Sequence, residues 1–346
     1  MSDNQWAALA GLLGGVGLGL AGAIGRFCTL GAIEDALYGD DYRRLRMWAL
    51  AIAVAITGVF ILQATGQVDV SSSMYFTLKW NPAASIVGGL MFGWGMALAG
   101  NCGYGALTRM AGGDLRSFFT FIIMGIAAYM AIGGPTAALR DMVFPLRPAD
   151  VELQSFADLL GGWFSVPPII IAFAVAAGFT IWALWEARFR TSSTHIIWSV
   201  VVGLSIISGW WATSLISTTG FDAIAVESHV FVVPLGESLI YLMTWTGSAM
   251  NFGIGSVTGV IVGSYIGTLI KGRFRWESCD DVRELGRSVI GAFLMGTGGV
   301  LALGCSLGQG LTAFAVLSYS APVVLASIFM GATLGLRFLI HGFQNT

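Results

Sequence analysis

The amino-acid sequence predicts an all-α polytopic membrane protein, about nine transmembrane helices plus short broken or re-entrant ones, built on an inverted internal repeat. Three observations predict it. First, 56% of the 346 residues are hydrophobic and only 10% charged, whereas a soluble domain carries about a quarter charged residues. Second, apolar runs of bilayer-crossing length, about 20 residues, recur along the whole chain, with Lys and Arg gathered in alternate connections. Third, a glycine-studded apolar run delivering one cysteine occurs three times: GLGLAGAIGRFCTLGAI around Cys28, GWGMALAGNCGYGAL around Cys102 and GTGGVLALGCSLGQGL around Cys305.

Nine spans are expected, over residues 6–33, 47–66, 83–108, 115–135, 163–186, 195–216, 236–270, 288–316 and 318–341. The leading MSDNQWAALAGLL has no Lys or Arg ahead of its apolar run and no small-residue cleavage site, so it reads as a first span rather than a signal peptide. Span two follows Arg43, Arg44 and Arg46; span three carries Cys102 and stops at Arg109; span four follows Arg116; span five stops before Arg188 and Arg190. Span six holds Trp210 and Trp211. Span seven is too long and too glycine-rich for one plain helix, with Asn251 among Gly247, Gly253, Gly255, Gly259, Gly263 and Gly267. Half-helices meeting near the midplane are expected there, and again after Cys102 and after Cys305. Unwound backbone survives at membrane depth only where protein or a cavity surrounds it. Half-helix N-termini also aim unpaired N–H groups and a positive dipole end at an anion.

The basic connections, including Lys271, Arg273, Arg275, Arg283 and Arg287, fall on one side, which is assigned to the cytoplasm. The N-terminus is then outside and the C-terminus inside. The Cys102 and Cys305 runs align without a gap, Gly93 with Gly296, Gly95 with Gly298, Leu98 with Leu301 and Gly105 with Gly308. Span three runs inward and span eight outward, so the repeat is inverted, an arrangement that places a transporter's path at the repeat interface. One domain, 1–346, with halves 6–135 and 195–341 joined by 136–194, is the expected organisation. Span six aligns poorly with span one, and the best cysteine-free echo of the Cys28 run is GSAMNFGIGSVTGVIVGS in span seven.

The candidate path residues are Cys28, Cys102 and Cys305, with Arg26, Gly103, Gly105, Gly304 and Gln309 in support. A neutral thiol is a weak donor, and conduction needs sites that admit an ion yet release it. The spans are almost free of basic residues that would hold an anion too long, with Arg26 near a span end. A buried cysteine taken singly is more often a small packing residue, and glycine runs serve helix packing as often as pore lining. Three thiols in one repeated frame favour a shared role. Four cysteines without CxxC or a Cys/His cluster indicate neither a disulfide framework nor a metal site. His195, His229 and His341 have no partner in the sequence, so no cofactor is expected. The net charge of -2 gives no sign of nucleic-acid binding. There is no P-loop for ATP, and Glu237 is the one acid near the interior of a span.

GRFCTLGAIEDALYGDDYRRLR, GWGMALAGNCGYGALTRMAGGDLRSF and LALGCSLGQGLTAFAVLSYSAP together resemble the YeeE/YedE family of sulphur-transport membrane proteins, in its thiosulfate-uptake branch. The resemblance spans nearly the whole chain. It implies a transporter rather than an enzyme, importing thiosulfate across a bacterial inner membrane through S–H hydrogen bonds from Cys28, Cys102 and Cys305, and working with a small cytosolic SirA-like sulfurtransferase. Cys279, in RWESCDD, lies outside the family pattern. Two other readings stand beside it: transport of a different sulfur or selenium species, and a membrane thiol oxidoreductase pairing Cys28 with Cys102.

Overall fold

The structure is a computed structural model, and it describes residues 2–149, 154–278 and 281–344. Cys279 lies outside the described residues.

The first apolar run does not cross as one helix through residue 33. Helix α1 (Asp3–Ala23) starts at a Ser2/Gln5 capping box, ends at Ala23, and after a break α2 (Thr29–Tyr38) begins with Cys28 as its N-cap. Arg26, inside the break, has φ of 55°. Helix α3 (Arg43–Ala64) returns across the bundle, the short α4 (Met74–Thr77) follows, and α5 (Pro82–Ala99) starts under an Asn81 cap with Pro82 at its first position. Proline suits that position because its missing N–H would have no helical partner there. Gly100, at φ 73°, stops α5 in the left-handed conformation that glycine adopts without penalty. Helix α6 (Gly103–Ala111) and α7 (Leu115–Gly133) complete the first half.

The connecting region holds α8 (Pro135–Val143), α9 (Phe156–Phe164), α10 (Pro168–Leu184) and α11 (Ala187–Arg190). Between α9 and α10 the chain bends by 116°. Trp163, Phe164, Ile170 and Trp185 stay exposed there, an apolar surface suited to lipid. The second half runs through α12 (Ser193–Thr219), α13 (Val233–Met243), α14 (Phe252–Ile270), α15 (Val282–Leu301), a π-helical turn at Gly308–Ala313 and α16 (Ser320–Gln344).

Among the described residues, seven helices are long and apolar enough to cross a membrane, eight if the bent pair counts as one. Helix α15 is a further 20-residue helix; it starts at Asp281, whose side chain accepts the Arg283 N–H, rather than at residue 288. The cap wins over the apolar window because it satisfies an otherwise orphaned donor. The expected span over 236–270 is two helices, α13 and α14, parted at 244–251.

Glycines let these helices approach at backbone distance. Gly11, Gly15 and Gly19 of α1 interleave with Gly255, Gly259 and Gly263 of α14; a Cβ at Gly259 would lie 2.2 Å from the Leu12 carbonyl oxygen. Helices α5 and α15 cross antiparallel through reciprocal contacts, Gly88 on the Gly298 carbonyl, Gly298 on that of Gly88, and Gly95 and Gly291 likewise. The order of elements also recurs: α1, α2, α3, α5, α6, α7 against α12, α13, α14, α15, the helical stretch 306–315, α16.

The basic segments gather at one end of the bundle. There Arg46 pairs with Glu186 at 2.8 Å, and the Arg275 and Glu277 amides donate to the Gly112 and Gly113 carbonyls. At the other end Asp3 accepts from the Phe221 and Asp222 amides, and Gln154 accepts from the Trp80 amide.

Candidate functional site

Each motif cysteine stands at the start of a short helix that follows a break. Cys28 and Cys102 are the N-caps of α2 and α6. The Cys102 Sγ accepts the Gly105 N–H at 3.4 Å, and the Cys305 Sγ accepts the Gly308 N–H at 3.3 Å. The segments around Cys102 and Cys305 therefore repeat one local device: a thiol, a break and an amide three residues on. Cys102 and Cys305 are each 1% exposed, while Cys28 is only half-buried.

The three thiols share one interior. Cys102 lies within electrostatic reach of Cys28 and Cys305 and beside the Ser306 side chain. Thr29, next to Cys28, donates to Ser306, next to Cys305, at 3.0 Å. The Phe231 and Leu307 amides face the Cys305 thiol. Three cysteines from segments far apart in sequence are thus brought together by breaks that bring the starts of short helices into the bundle.

The supporting residues divide. Gly103 is a close-approach glycine: a Cβ would meet the Met124 side chain at 2.8 Å and the Phe231 carbonyl at 3.2 Å. Gly105 supplies the amide to Cys102, and Gly304 holds the second break at φ 153° beside Leu303 at φ 55°. Gln309 is fully buried, and its amide N–H groups go to the Ala302 and Leu303 carbonyls at 2.9 and 3.0 Å. Its oxygen accepts from Ser320. Both donors are taken by the break itself. Arg26 is exposed, two residues before Cys28.

Three polar residues of this interior are absent from the sequence-based set. Asn101 is fully buried and donates to Ser117, whose hydroxyl donates to Asp114, tying the first break to the start of α7 as Gln309 and Ser320 tie the second to α16. Thr29 and Ser306 each directly follow a motif cysteine, and that shared position was the available signal. Asn101 offered only its place inside a glycine run. The carboxylates near the basic end behave as an aqueous face does: Asp41 is held at about 2 by the Arg43 side chain that hydrogen-bonds it.

Helices long and apolar enough to cross a bilayer, broken where buried thiols come together inside the bundle, define a multi-pass membrane protein. More particularly, the family model for sulphur transport matches residues 24–334, and the chain belongs to that family. It is 27% identical over 348 residues to the thiosulfate transporter TsuA of Escherichia coli, covering 93% of this chain and 92% of that protein. It is 26% identical over 328 residues to the thiosulfate transporter TsuA of Spirochaeta thermophila, covering 92% of this chain and 94% of that protein.

Proposed function

We propose that this protein imports thiosulfate across a bacterial inner membrane, passing the ion between Cys102, Cys305 and Cys28 by transient S–H hydrogen bonds. The observation that carries the reading is the placement of all three thiols at short-helix starts within one buried interior. Helix-start amides attract an anion, while a neutral thiol binds the ion's soft terminal sulfur only weakly, so each site both admits and releases. Gly103, Gly105, Gly304 and Gln309 hold the two breaks in shape, and Arg26 draws the anion at the Cys28 mouth. The halves 6–135 and 195–341 act as an inverted repeat about the α5–α15 crossing, supported by its reciprocal glycine contacts.

In this reading the N-terminus is outside and the C-terminus cytoplasmic, which puts the Arg-rich end and the Cys28 mouth inside. A cavity of about 440 Å³ at that end, lined by Arg109, Arg116, Arg273 and Arg275 with Asp114 and Glu277, offers a surface for a SirA-like sulfurtransferase. Passage is facilitated and drawn forward by consumption of thiosulfate inside.

The test is growth of a sulfate-uptake-deficient host on thiosulfate as sole sulfur source. The chain should restore growth, and Cys28→Ala, Cys102→Ala or Cys305→Ala should each abolish or strongly reduce it at matched membrane abundance, while Cys279→Ala is silent. Near-normal uptake by the Cys102→Ala protein would return the thiols to a packing role.

A further inference from the structure

The half-buried Cys28 and the sealed Cys102 are neighbours in space yet differ sharply in access, and the fold has to supply whatever separates them. Tyr104 is the residue placed to do so. It stands two positions past Cys102 in the first turn of α6, is 2% exposed, and lies within electrostatic reach of Cys102 and of Cys28. Its hydroxyl donates to the Leu18 carbonyl of α1 at 2.6 Å, and its ring packs on Phe231 with centroids 5.7 Å apart.

The surroundings are shaped to this ring. A Cβ at Gly22 of α1 would sit 2.7 Å from the Tyr104 hydroxyl, so the phenol occupies room that glycine leaves open. Leu18 lies inside α1, where its carbonyl also serves the helix. Release of the phenol therefore orphans no buried acceptor, and the bond lost is one of modest net worth. The ring is flanked in sequence by Gly103 and Gly105, which bring no side chains of their own against it.

We propose that Tyr104 is a gate between Cys102 and Cys28: the ring closes the passage and the hydroxyl, latched to the Leu18 carbonyl, holds it shut until the ring swings aside. The inference rests on the thiol-path reading, and in the open state the freed hydroxyl adds a donor between the two thiols.

The experiment reads access rather than transport, so the two readings can fail separately. The full chain in membrane vesicles is treated with methyl methanethiosulfonate, and modification of each cysteine is followed by peptide mass spectrometry. In the unaltered protein Cys28 should react and Cys102 should be protected. Tyr104→Phe keeps the ring and deletes the latch, and should speed Cys102 modification by about two- to tenfold. Tyr104→Leu, which removes the ring as well, should speed it further. Cys305, whose neighbouring phenol is that of Tyr75, should stay protected in both, which also reports that the bundle is intact. Cys102 remaining as protected in both variants as in the unaltered protein would overturn the gate, as would Cys102 and Cys305 becoming reactive together. Either result leaves thiosulfate uptake by the unaltered protein untouched.

Discussion

At the scale of single residues, the interior is organised by polar side chains that hold backbone breaks rather than by charges. Gln309 shows this most directly, since its amide joins two carbonyls of the unwound 302–304 segment to Ser320 at the start of α16. An unpaired buried acceptor costs about 1–3 kcal/mol. Gln309→Ala should therefore lower the thermal unfolding temperature in detergent and reduce uptake with it. Gln309→Glu should be worse, because a carboxylate would set acceptor against acceptor. A Gln309→Ala protein of unchanged stability but lost uptake would instead make this side chain a substrate contact. The thiols themselves were legible in the sequence because three copies of one frame pointed to them. Thr29, Ser306 and Asn101 were not, because a hydroxyl or amide in an apolar run gains meaning only from what it faces.

At the scale of elements, the glycines of α1, α14, α5 and α15 are packing surfaces. The α1–α14 contact places a bare backbone of one helix on a carbonyl of the other at every turn. Without a hydrophobic drive between helices in lipid, such close approach is what binds them. Gly259→Val forces side-chain atoms into a 2.2 Å gap against backbone. Overpacking typically costs about 1–3 kcal/mol, so the variant should lose folded yield and unfold several degrees lower. Gly178→Ala, where nothing lies within 4 Å, should be neutral or slightly stabilising. Equal stability of the two variants, measured by thermal unfolding in the same detergent, would remove the packing role. In sequence these glycine runs fitted packing and pore lining equally well; the facing helix decides between them.

At the scale of the whole molecule, the two ends are distinguished by what they gather. Asp222 lies with Asp3 at one end, Gln154 with Trp80 there too, and Arg46 with Glu186 at the other. Reporter fusions near Gln154 and Asp222 should read periplasmic and one near Arg44 cytoplasmic; Arg44 and Gln154 on the same side would break the inverted arrangement. The sequence by itself determined the membrane class, the broken character of the long apolar runs, the gathering of the basic connections together and the repeated cysteine frame. Those follow from composition, run length and identity, which need no partner to be read. Only the tertiary structure decided that α1 stops at Ala23, where α13 gives way to α14, and that Tyr104 lies within reach of two thiols. These depend on which backbone can approach which, through glycine contacts and hydrogen bonds between residues distant in the chain, and no local pattern encodes that.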